Sequence, residues 1–437
     1  MFTKLGKILK DKKVVRKIVE VLLLLVIYRI LAHIPIPGVN IEALRSFFDS
    51  NELLGIVNML SGSALKNFSI VALGVGPYIT ASIIIQLLTV VIPRLEALSS
   101  ESDGTKKLEQ ITRYLTVPFA ALQGYAMIVL LSNSNYQILG ELTFASILSM
   151  IIIFTAGTLL TIWIGEIISE RKIGNGMSWI IFAGIIAGFL ETIKQIIVTY
   201  DPTRLFSIIL YLVITVIVIA GIVIVTEAQR NIPIIYARQA NMRSSSKPLS
   251  YLPLRVNQAG MIPIIFASSV MTIPRILSGF LAGYDNAFAK FLSSGVSLFV
   301  NNMFLYSILY FLLIIGFTYF YTSITFKPDK ISENLNKQGA YIPGIKPGKQ
   351  TEDHLLNISN KLVIFGGLFL AIVAILPILT SSTPGAIASI GGAGLIIVVG
   401  VVIESIKQME AQVIDDNYGV SKYMNVSSSN FKNKKLN

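Results

Sequence analysis

Residues 58–92 read NMLSGSALKNFSIVALGVGPYITASIIIQLLTVVI, and this stretch decides the fold. Its first dozen residues are small or polar with only a thin apolar stripe, and a long apolar run follows directly. Lipid cannot satisfy the polar groups of a broken backbone, so half-spanning segments of this kind are tolerated only inside protein, where they line a cavity. The pattern predicts a chain that builds a pore or a transport path, with this stretch in it.

The composition of the whole chain is that of a membrane protein. Of its 437 residues, 53% are hydrophobic and only 14% are charged, whereas soluble domains carry roughly 25% charged residues. About 20 apolar residues form a helix that crosses a hydrocarbon core of ~30 Å. We therefore predict an all-α polytopic membrane protein with ten transmembrane helices, at residues 18–36, 73–92, 116–132, 144–168, 178–198, 206–226, 258–277, 301–325, 361–379 and 389–406.

The sequence carries no sign of catalysis. It contains no cysteine, which excludes disulfides, thiolate catalysis and thiolate metal sites. The glycine-rich stretches at 174–176 and 391–394 lack the Lys and the following Ser or Thr of a phosphate-binding loop, and HExxH is absent. We expect no cofactor, no metal site and no catalytic residue, so the chain is not expected to be an enzyme.

The basic residues predict the orientation in the membrane. Most of the 36 lysines and arginines lie in the two termini and in the connections that follow the second, fourth, sixth and eighth spans. Cytoplasmic segments carry the excess of Lys and Arg, so both termini are predicted to be cytoplasmic. We interpret the net charge of +12 as this bias rather than as a sign of nucleic-acid binding.

Two of the predicted cytoplasmic connections are long, at about residues 227–257 and 326–360. Alternating residues predict a short strand at 232–236 with a hairpin tip at 244–248, and the second connection opens with a polar helix near 330–337. Long basic loops that neighbour each other favour a docking platform for a large, partly acidic partner. The candidate docking residues are Arg238, Arg243, Arg255, Lys346 and Lys349.

The ten spans divide into two halves of five. An odd number of spans per half starts the second half on the opposite side of the membrane, which is the pattern of inverted-topology repeats with a functional site at their interface. The predicted units are residues 1–200, residues 201–410 and a cytoplasmic tail at 411–437. We expect the Ser-, Asn- and Lys-rich end of the tail to be partly disordered.

Apolar residues at helical spacing suggest a constriction. Val75, Ile79 and Ile83 follow one face of a helix, and Ile181 and Ile185 have the same spacing. Spacing alone favours ordinary helix packing, but a ring of branched apolar side chains can also close a pore by dewetting. Gln86 and Asn257 are the polar candidates for hydrogen bonds between helices.

Three functions remain open from these residues alone. A small-solute secondary transporter shares the broken helix and the inverted repeats, but it needs a polar site at mid-membrane that the sequence does not show. A polypeptide channel ranks equally with it. A non-conducting membrane scaffold or insertase is the third alternative.

Five stretches resemble the SecY family, the channel-forming subunits of the Sec protein translocon, along nearly the whole chain. They occur in the expected order with the expected spans between them. They are IPIPGV at 34–39, NMLSGSALKNFSIVALGVGPYITASIIIQLLT at 58–89, GEIISERKIGNGMSWIIFAGI at 165–185, LPLRVNQAGMIPIIFASS at 252–269 and GAYIPGIKPGKQTEDHL at 339–355. One residue departs from the family pattern, because Lys346 stands where PGIRPG has Arg, which keeps the charge but loses the planar bidentate fork.

The resemblance implies a pore that passes unfolded polypeptides and releases hydrophobic segments sideways into lipid. It implies a lateral gate formed by the second and third spans against the seventh and eighth, with Gln86 and Asn257 as its polar residues. A short plug helix at about Leu60–Ser69 would leave the pore on opening, so we expect weak packing there. The implied ring residues are Val75, Ile79, Ile181, Ile185, Ile265 and Ile397, and the implied plug residues are Leu60, Ser61, Gly62, Ser63, Ala64, Leu65 and Phe68.

The resemblance also implies partners. Small membrane subunits of the SecE and SecG type would clasp the channel, and either the ribosome or the SecA motor would dock on the cytoplasmic loops. Signal peptides, nascent polypeptides and membrane lipids would meet at the gate. Because the chain has no recognisable ATP site, its partner would supply the energy. The expected location is a bacterial inner membrane, with a plastid thylakoid membrane as the alternative.

Overall fold

The computed structural model describes residues 11–50, 64–101, 103–132, 138–140, 142–198, 205–236, 250–281, 294–296, 302–381 and 392–418. Its long elements are mostly helices. They are α1 (Lys12–Leu31), α2 (Ile41–Ser50), α3 (Gly76–Val91), α4 (Pro93–Ser100), α5 (Gly104–Ser132), α6 (Phe144–Glu170), α7 (Gly176–Val198), α8 (Leu205–Glu227), α9 (Ile262–Leu281), α10 (Met303–Thr325), α11 (Pro328–Lys337), α12 (Lys349–Ser381) and α13 (Gly392–Tyr418).

Ten of these helices lie where the sequence predicts membrane spans: α1, α3, α5 to α10, α12 and α13. By length and apolar composition alone, six of the described helices can cross a membrane, and the bent pair of α3 and α4 makes a seventh. The apolar parts of α7 and α9 are shorter, and α1 begins with a charged turn. The polytopic helical fold predicted from the sequence is confirmed, and its boundaries differ mainly where charged turns extend the helices.

Helix α3 is bounded by two breaks that the sequence explains. Proline stands in its first turn, at Pro77, where a missing N–H costs nothing. At its other end Ile92 is extended, as expected for a residue before proline. Pro93 then starts α4, which leaves at 107° to α3.

The helices pack in a pattern that occurs twice. In the first set, α3 packs on α5, α5 on α6, α6 on α7 and α1 on α7. In the second set, α9 packs on α10, α10 on α12, α12 on α13 and α8 on α13. The two sets meet where α9 packs against α3 and α5, and again where α13 packs against α7 and α1.

A small sheet lies outside the helical bundle. Strand β1 (Gln229–Tyr236) pairs antiparallel with β2 (Ser250–Arg255) on one side and with β3 (Ala340–Tyr341) on the other. This confirms the predicted strand, and α11 confirms the predicted polar helix, while the predicted hairpin tip lies outside the described residues. Because β1 and β3 belong to different long connections, the two connections form one unit. Its small apolar core contains Ile232, Leu254, Ile342, Leu355 and Ile358.

Glycines allow α7 to cross α6 closely. A Cβ atom at Gly176 would overlap the carbonyl oxygen of Gly165, and one at Gly165 would press on the side chain of Met177. The hydroxyl of Ser169 accepts a hydrogen bond of 2.8 Å from the Gly176 amide at the start of α7. This crossing fixes the position of α7 within the bundle.

We expect Gly176→Ala to lower the free energy of unfolding by about 1–3 kcal/mol, because the added methyl group overlaps backbone that cannot move aside. The matched control is Gly316→Ala in α10, where a Cβ atom meets nothing within 4 Å. Alanine there gains about 0.5–1 kcal/mol of helix propensity. Thermal unfolding in detergent, followed by circular dichroism, measures both, and equal stabilities would contradict the close crossing.

Candidate pore site

The six predicted ring residues meet in one apolar cluster. Val75, Ile181, Ile185, Ile265 and Ile397 are each 9% exposed or less. Ile79 is partly buried and packs against them. These side chains come from four helices that are far apart in sequence, namely α3, α7, α9 and α13. The six side chains are aliphatic, so they can block water without fixed polar contacts.

The break before α3 aims Val75 and Ile79 into this cluster. Gly74 has a φ of +53°, a left-handed conformation that glycine adopts without steric cost. Val75 then occupies the N-cap of α3, and its carbonyl accepts a 3.0 Å hydrogen bond from the Ile79 amide. The two side chains are one helical turn apart on the same face. A continuous helix through Gly74 would give these residues a different direction.

The predicted plug segment is only partly described. Leu60, Ser61, Gly62 and Ser63 lie outside the described residues. Ala64, Leu65 and Phe68 form hydrogen-bonded turns rather than an α-helix, and all three are buried, at 0%, 4% and 1% exposure. The expectation of weak packing is therefore wrong for this part, because the bulky Phe68 packs against α6.

The two predicted gate residues do not bond to each other. Gln86 donates a 3.0 Å hydrogen bond to the Ser82 hydroxyl on its own helix, and Asn257 donates to the Gly260 carbonyl at 3.2 Å. The polar contact between α3 and α5 comes from residues that the sequence analysis missed: Gln123 donates to the Thr80 hydroxyl at 3.3 Å. The signal was a single amide inside the apolar span 116–132.

Three of the five predicted docking residues lie in the described part of the chain. Arg238 and Arg243 lie outside the described residues. Arg255 ends β2, and it is exposed, as are Lys346 and Lys349. The loop that carries Lys346 is held in place, because its carbonyl accepts from the Thr351 hydroxyl at 3.0 Å. The Ser332 hydroxyl of α11 donates to the carbonyl of Gly348 in the same loop, at 2.8 Å. These cations therefore project from a fixed surface.

The sequence analysis also missed a polar tie at the end of α13. Gln412 accepts a 2.8 Å hydrogen bond from the Lys17 ammonium group of α1. Its amide nitrogen donates to the carbonyl of Lys172, in the turn between α6 and α7. One side chain thus connects α13 to α1 and to the turn between α6 and α7. Within the described residues, no group of three or more His, Asp and Glu lies together as a metal site would require.

The sequence profile of the SecY family matches residues 69–406 of the chain. Protein translocase subunit SecY of Streptomyces galbus is 39% identical, in an alignment that covers 96% of this chain and 99% of that one. The SecY subunit of Halalkalibacterium halodurans is 41% identical, with the same coverage.

Solved channels have a similar fold. A protein conducting channel superposes with a TM-score of 0.62 at 18% identity, over 89% of this chain and 90% of that one. A SecY structure, in which the plug domain stabilises the closed channel and maintains a membrane seal, superposes with a TM-score of 0.61 at 19% identity, with the same coverage. Sec61 in a canine ribosome–channel complex gives 0.58 at 19% identity, again with that coverage.

We expect the Thr80–Gln123 hydrogen bond to couple α3 to α5. A double-mutant cycle with Thr80→Val and Gln123→Leu should give a coupling of about 0.6 kcal/mol in unfolding free energy, the average for such bonds in a membrane protein. The control cycle pairs Gln86→Leu with Gln123→Leu and should give a coupling near zero, since Gln86 bonds within its own helix. A larger coupling in the control cycle would show that this contact has been wrongly assigned.

Proposed function

Because the chain belongs to the SecY family, we propose that it is the channel subunit of a protein translocase whose pore is closed at rest by the aliphatic ring. It is a multi-pass membrane protein and a protein-translocation channel. The observation that carries the proposal for the ring is the meeting of Val75, Ile79, Ile181, Ile185, Ile265 and Ile397 in one buried cluster.

The ring suits the passage of an unfolded chain. Branched aliphatic side chains exclude water and ions from a narrow constriction by dewetting. They also offer a passing polypeptide no fixed hydrogen bonds, so that its sequence does not matter. The plug segment, from Leu60 to Phe68, lies directly before the ring residues in the chain and reinforces the closed state in this proposal.

The lateral gate in this proposal is the seam between α3 and α5 on one side and α9 and α10 on the other. Helix α9 packs against both α3 and α5. A signal peptide is a hydrophobic helix, so it competes with α9 for this apolar surface and favours the open state by differential binding. Gln86, Asn257, Thr80 and Gln123 are the polar residues close to the seam.

The two halves are residues 1–200 and 201–410, followed by the tail at 411–437. The repeated packing pattern supports this division, because the four contacts α3–α5, α5–α6, α6–α7 and α1–α7 in the first five spans have counterparts in the second five. The halves touch along the gate seam and again at α13, which lets them separate at one seam while the other holds. Both termini are placed in the cytoplasm, and the membrane is a bacterial inner membrane.

The sheet and α11 are proposed as the docking platform. Sec61 in the canine complex is bound to a ribosome, and the exposed cations Arg255, Lys346 and Lys349 suit an anionic partner of that kind or a SecA motor. Subunits of the SecE and SecG type are the proposed membrane partners. The partner on the platform supplies the energy for translocation.

We expect Ile185→Asn to increase the ion leak of the resting channel several-fold, because a buried amide hydrates the constriction. Conductance across planar bilayers that contain the purified complex measures the leak. The matched control is Ile197→Asn on the same helix, at a position 69% exposed on the outside of the bundle. An equal leak in both variants would remove Ile185 from the ring.

We expect the charge reversals Arg255→Glu and Lys346→Glu together to weaken ribosome or motor binding by at least about tenfold, or 1.4 kcal/mol. The effect should shrink as salt rises, since exposed charges are screened. Sedimentation of ribosomes with the purified complex measures binding. The control is Lys194→Glu, which replaces an exposed cation near the C-terminal end of α7. This variant should bind normally. Unchanged binding in the double variant would rule out these cations as the docking surface.

A further inference from the structure

Two backbone hydrogen bonds attach the end of the plug segment to the link after α1. The Ile36 amide donates to the Phe68 carbonyl at 3.0 Å, and the Ile70 amide donates to the Ile34 carbonyl at 3.1 Å. Between them Pro35 and Ser69 face each other in an antiparallel bridge. This is the non-hydrogen-bonded type of pair, so the N–H that proline lacks is not needed. The plug segment is thus paired to a part of the chain outside it.

Side chains fix the same segment against α6. The rings of Phe68 and Phe154 meet edge to face, with centroids 5.1 Å apart and planes at 76°. Phe154 in turn is backed by α5, where a Cβ atom at Gly124 would approach it to 3.2 Å. Phe68 has a φ of +44°, a conformation rare for a bulky residue that persists only where the surroundings determine it.

The backbone beyond Phe68 touches α6 directly. A Cβ atom at Gly157 would overlap the carbonyl oxygen of Ile70, so α6 and this segment are in backbone contact. The turn itself is closed by hydrogen bonds from the Phe68 amide to the Leu65 carbonyl and from the Ser69 amide to the Ala64 carbonyl, each 3.0 Å. From Leu65 onward the segment therefore has packed neighbours on several sides.

We propose that residues 65–70 are a fixed anchor of the plug, with Phe154 and Gly157 as its positioning residues, and that this anchor stays in place while a polypeptide passes. The inference rests on the proposed channel function and deepens it. Holding the anchor also holds the start of α3, and with it Val75 and Ile79, only a few residues further along the chain.

A disulfide across the bridge tests whether the anchor moves. Non-hydrogen-bonded antiparallel pairs have Cα atoms about 4.5 Å apart, which suits a disulfide, and the chain has no cysteine of its own. In the variant Pro35→Cys/Ser69→Cys, the oxidised channel should translocate a preprotein within about twofold of its reduced form. A drop of tenfold or more on oxidation would overturn the proposal, because it would show that the two segments must separate.

The chain offers a matched control. Val39 and Leu139 form a second isolated antiparallel bridge of the same type, with hydrogen bonds of 2.8 Å and 3.1 Å around it. Oxidation of Val39→Cys/Leu139→Cys introduces a crosslink of the same geometry on the same link after α1, but to a residue outside the plug segment, so it reports the effect of oxidation without fixing residues 65–70. If reduced channels with either pair, and the unaltered chain, transport nothing, the failure lies with the proposed function and not with the anchor.

Thiol protection keeps the anchor testable if the double variant does not fold. Ser69 is fully buried, so the thiol of Ser69→Cys alone should react slowly with a maleimide in the resting channel. The thiol should react equally slowly with the maleimide when a preprotein is stalled in the pore. A tenfold faster reaction in the channel that holds the stalled preprotein would overturn the proposal.

The role of Phe154 has its own readout. Phe154→Ala should raise the resting ion leak, whereas Phe144→Ala, 80% exposed on the same helix, should not. Oxidising Pro35→Cys/Ser69→Cys in the Phe154→Ala background should suppress the leak, because the crosslink replaces the lost contact between the aromatic side chains of Phe68 and Phe154. General damage to the fold would not be rescued in this way. A leak that persists after crosslinking would remove Phe154 from the anchor.

Discussion

The structure depends on how it satisfies a stretch of non-helical backbone inside a helical bundle. Residues 64–75 form turns among the helices of the bundle, and inside a membrane-spanning bundle an unsatisfied polar backbone group costs several kcal/mol. Protein supplies the partners: the link after α1 bonds to Phe68 and Ile70, and turn bonds join Ala72 to Ser69 and Gly74 to Val71. The need to satisfy these backbone groups explains why the segment is surrounded by α5, α6 and the chain after α1. It also explains why its described part cannot be loosely packed.

The aliphatic ring follows from that fixed backbone. Val75 lies at the end of the turns and Ile79 one turn into α3, so both inherit their direction from Gly74. Burying one such side chain contributes roughly 1.5–3 kcal/mol relative to leaving it in water. In the proposed channel, a passing polypeptide would replace part of these contacts with its own apolar groups, whereas ions and water would not. The proposed ring would therefore resist leakage strongly and resist a chain weakly.

Much of this architecture could be predicted from the sequence, because its signals are local. Apolar runs of membrane length located the ten long helices, and alternation located β1. Helical spacing singled out Val75, Ile79, Ile181 and Ile185, and the resemblance to a family assigned these four residues, with Ile265 and Ile397, to a ring. The spacing could not separate a ring from ordinary packing, since both bury the same face.

The remaining features depend on tertiary contacts that spacing does not encode. The small residues of the plug segment led us to predict weak packing there. However, Phe68 packs against Phe154, about 86 residues further along the chain. Likewise, the polar contact between α3 and α5 joins Gln123 to Thr80. The predicted candidate Gln86 bonds to Ser82 on its own helix instead.

The link between the sheet and α9 is short and is contacted from two sides. Strand β2 ends at Arg255, and α9 begins after residues 256–261. Within that link the Val256 amide donates a 2.9 Å hydrogen bond to the Ala228 carbonyl at the end of α8. A Cβ atom at Gly366 of α12 would approach the Val256 carbonyl to 2.8 Å, so α12 closes on the link from the other side. These two contacts hold the link between the sheet and α9, which itself packs against α3 and α5.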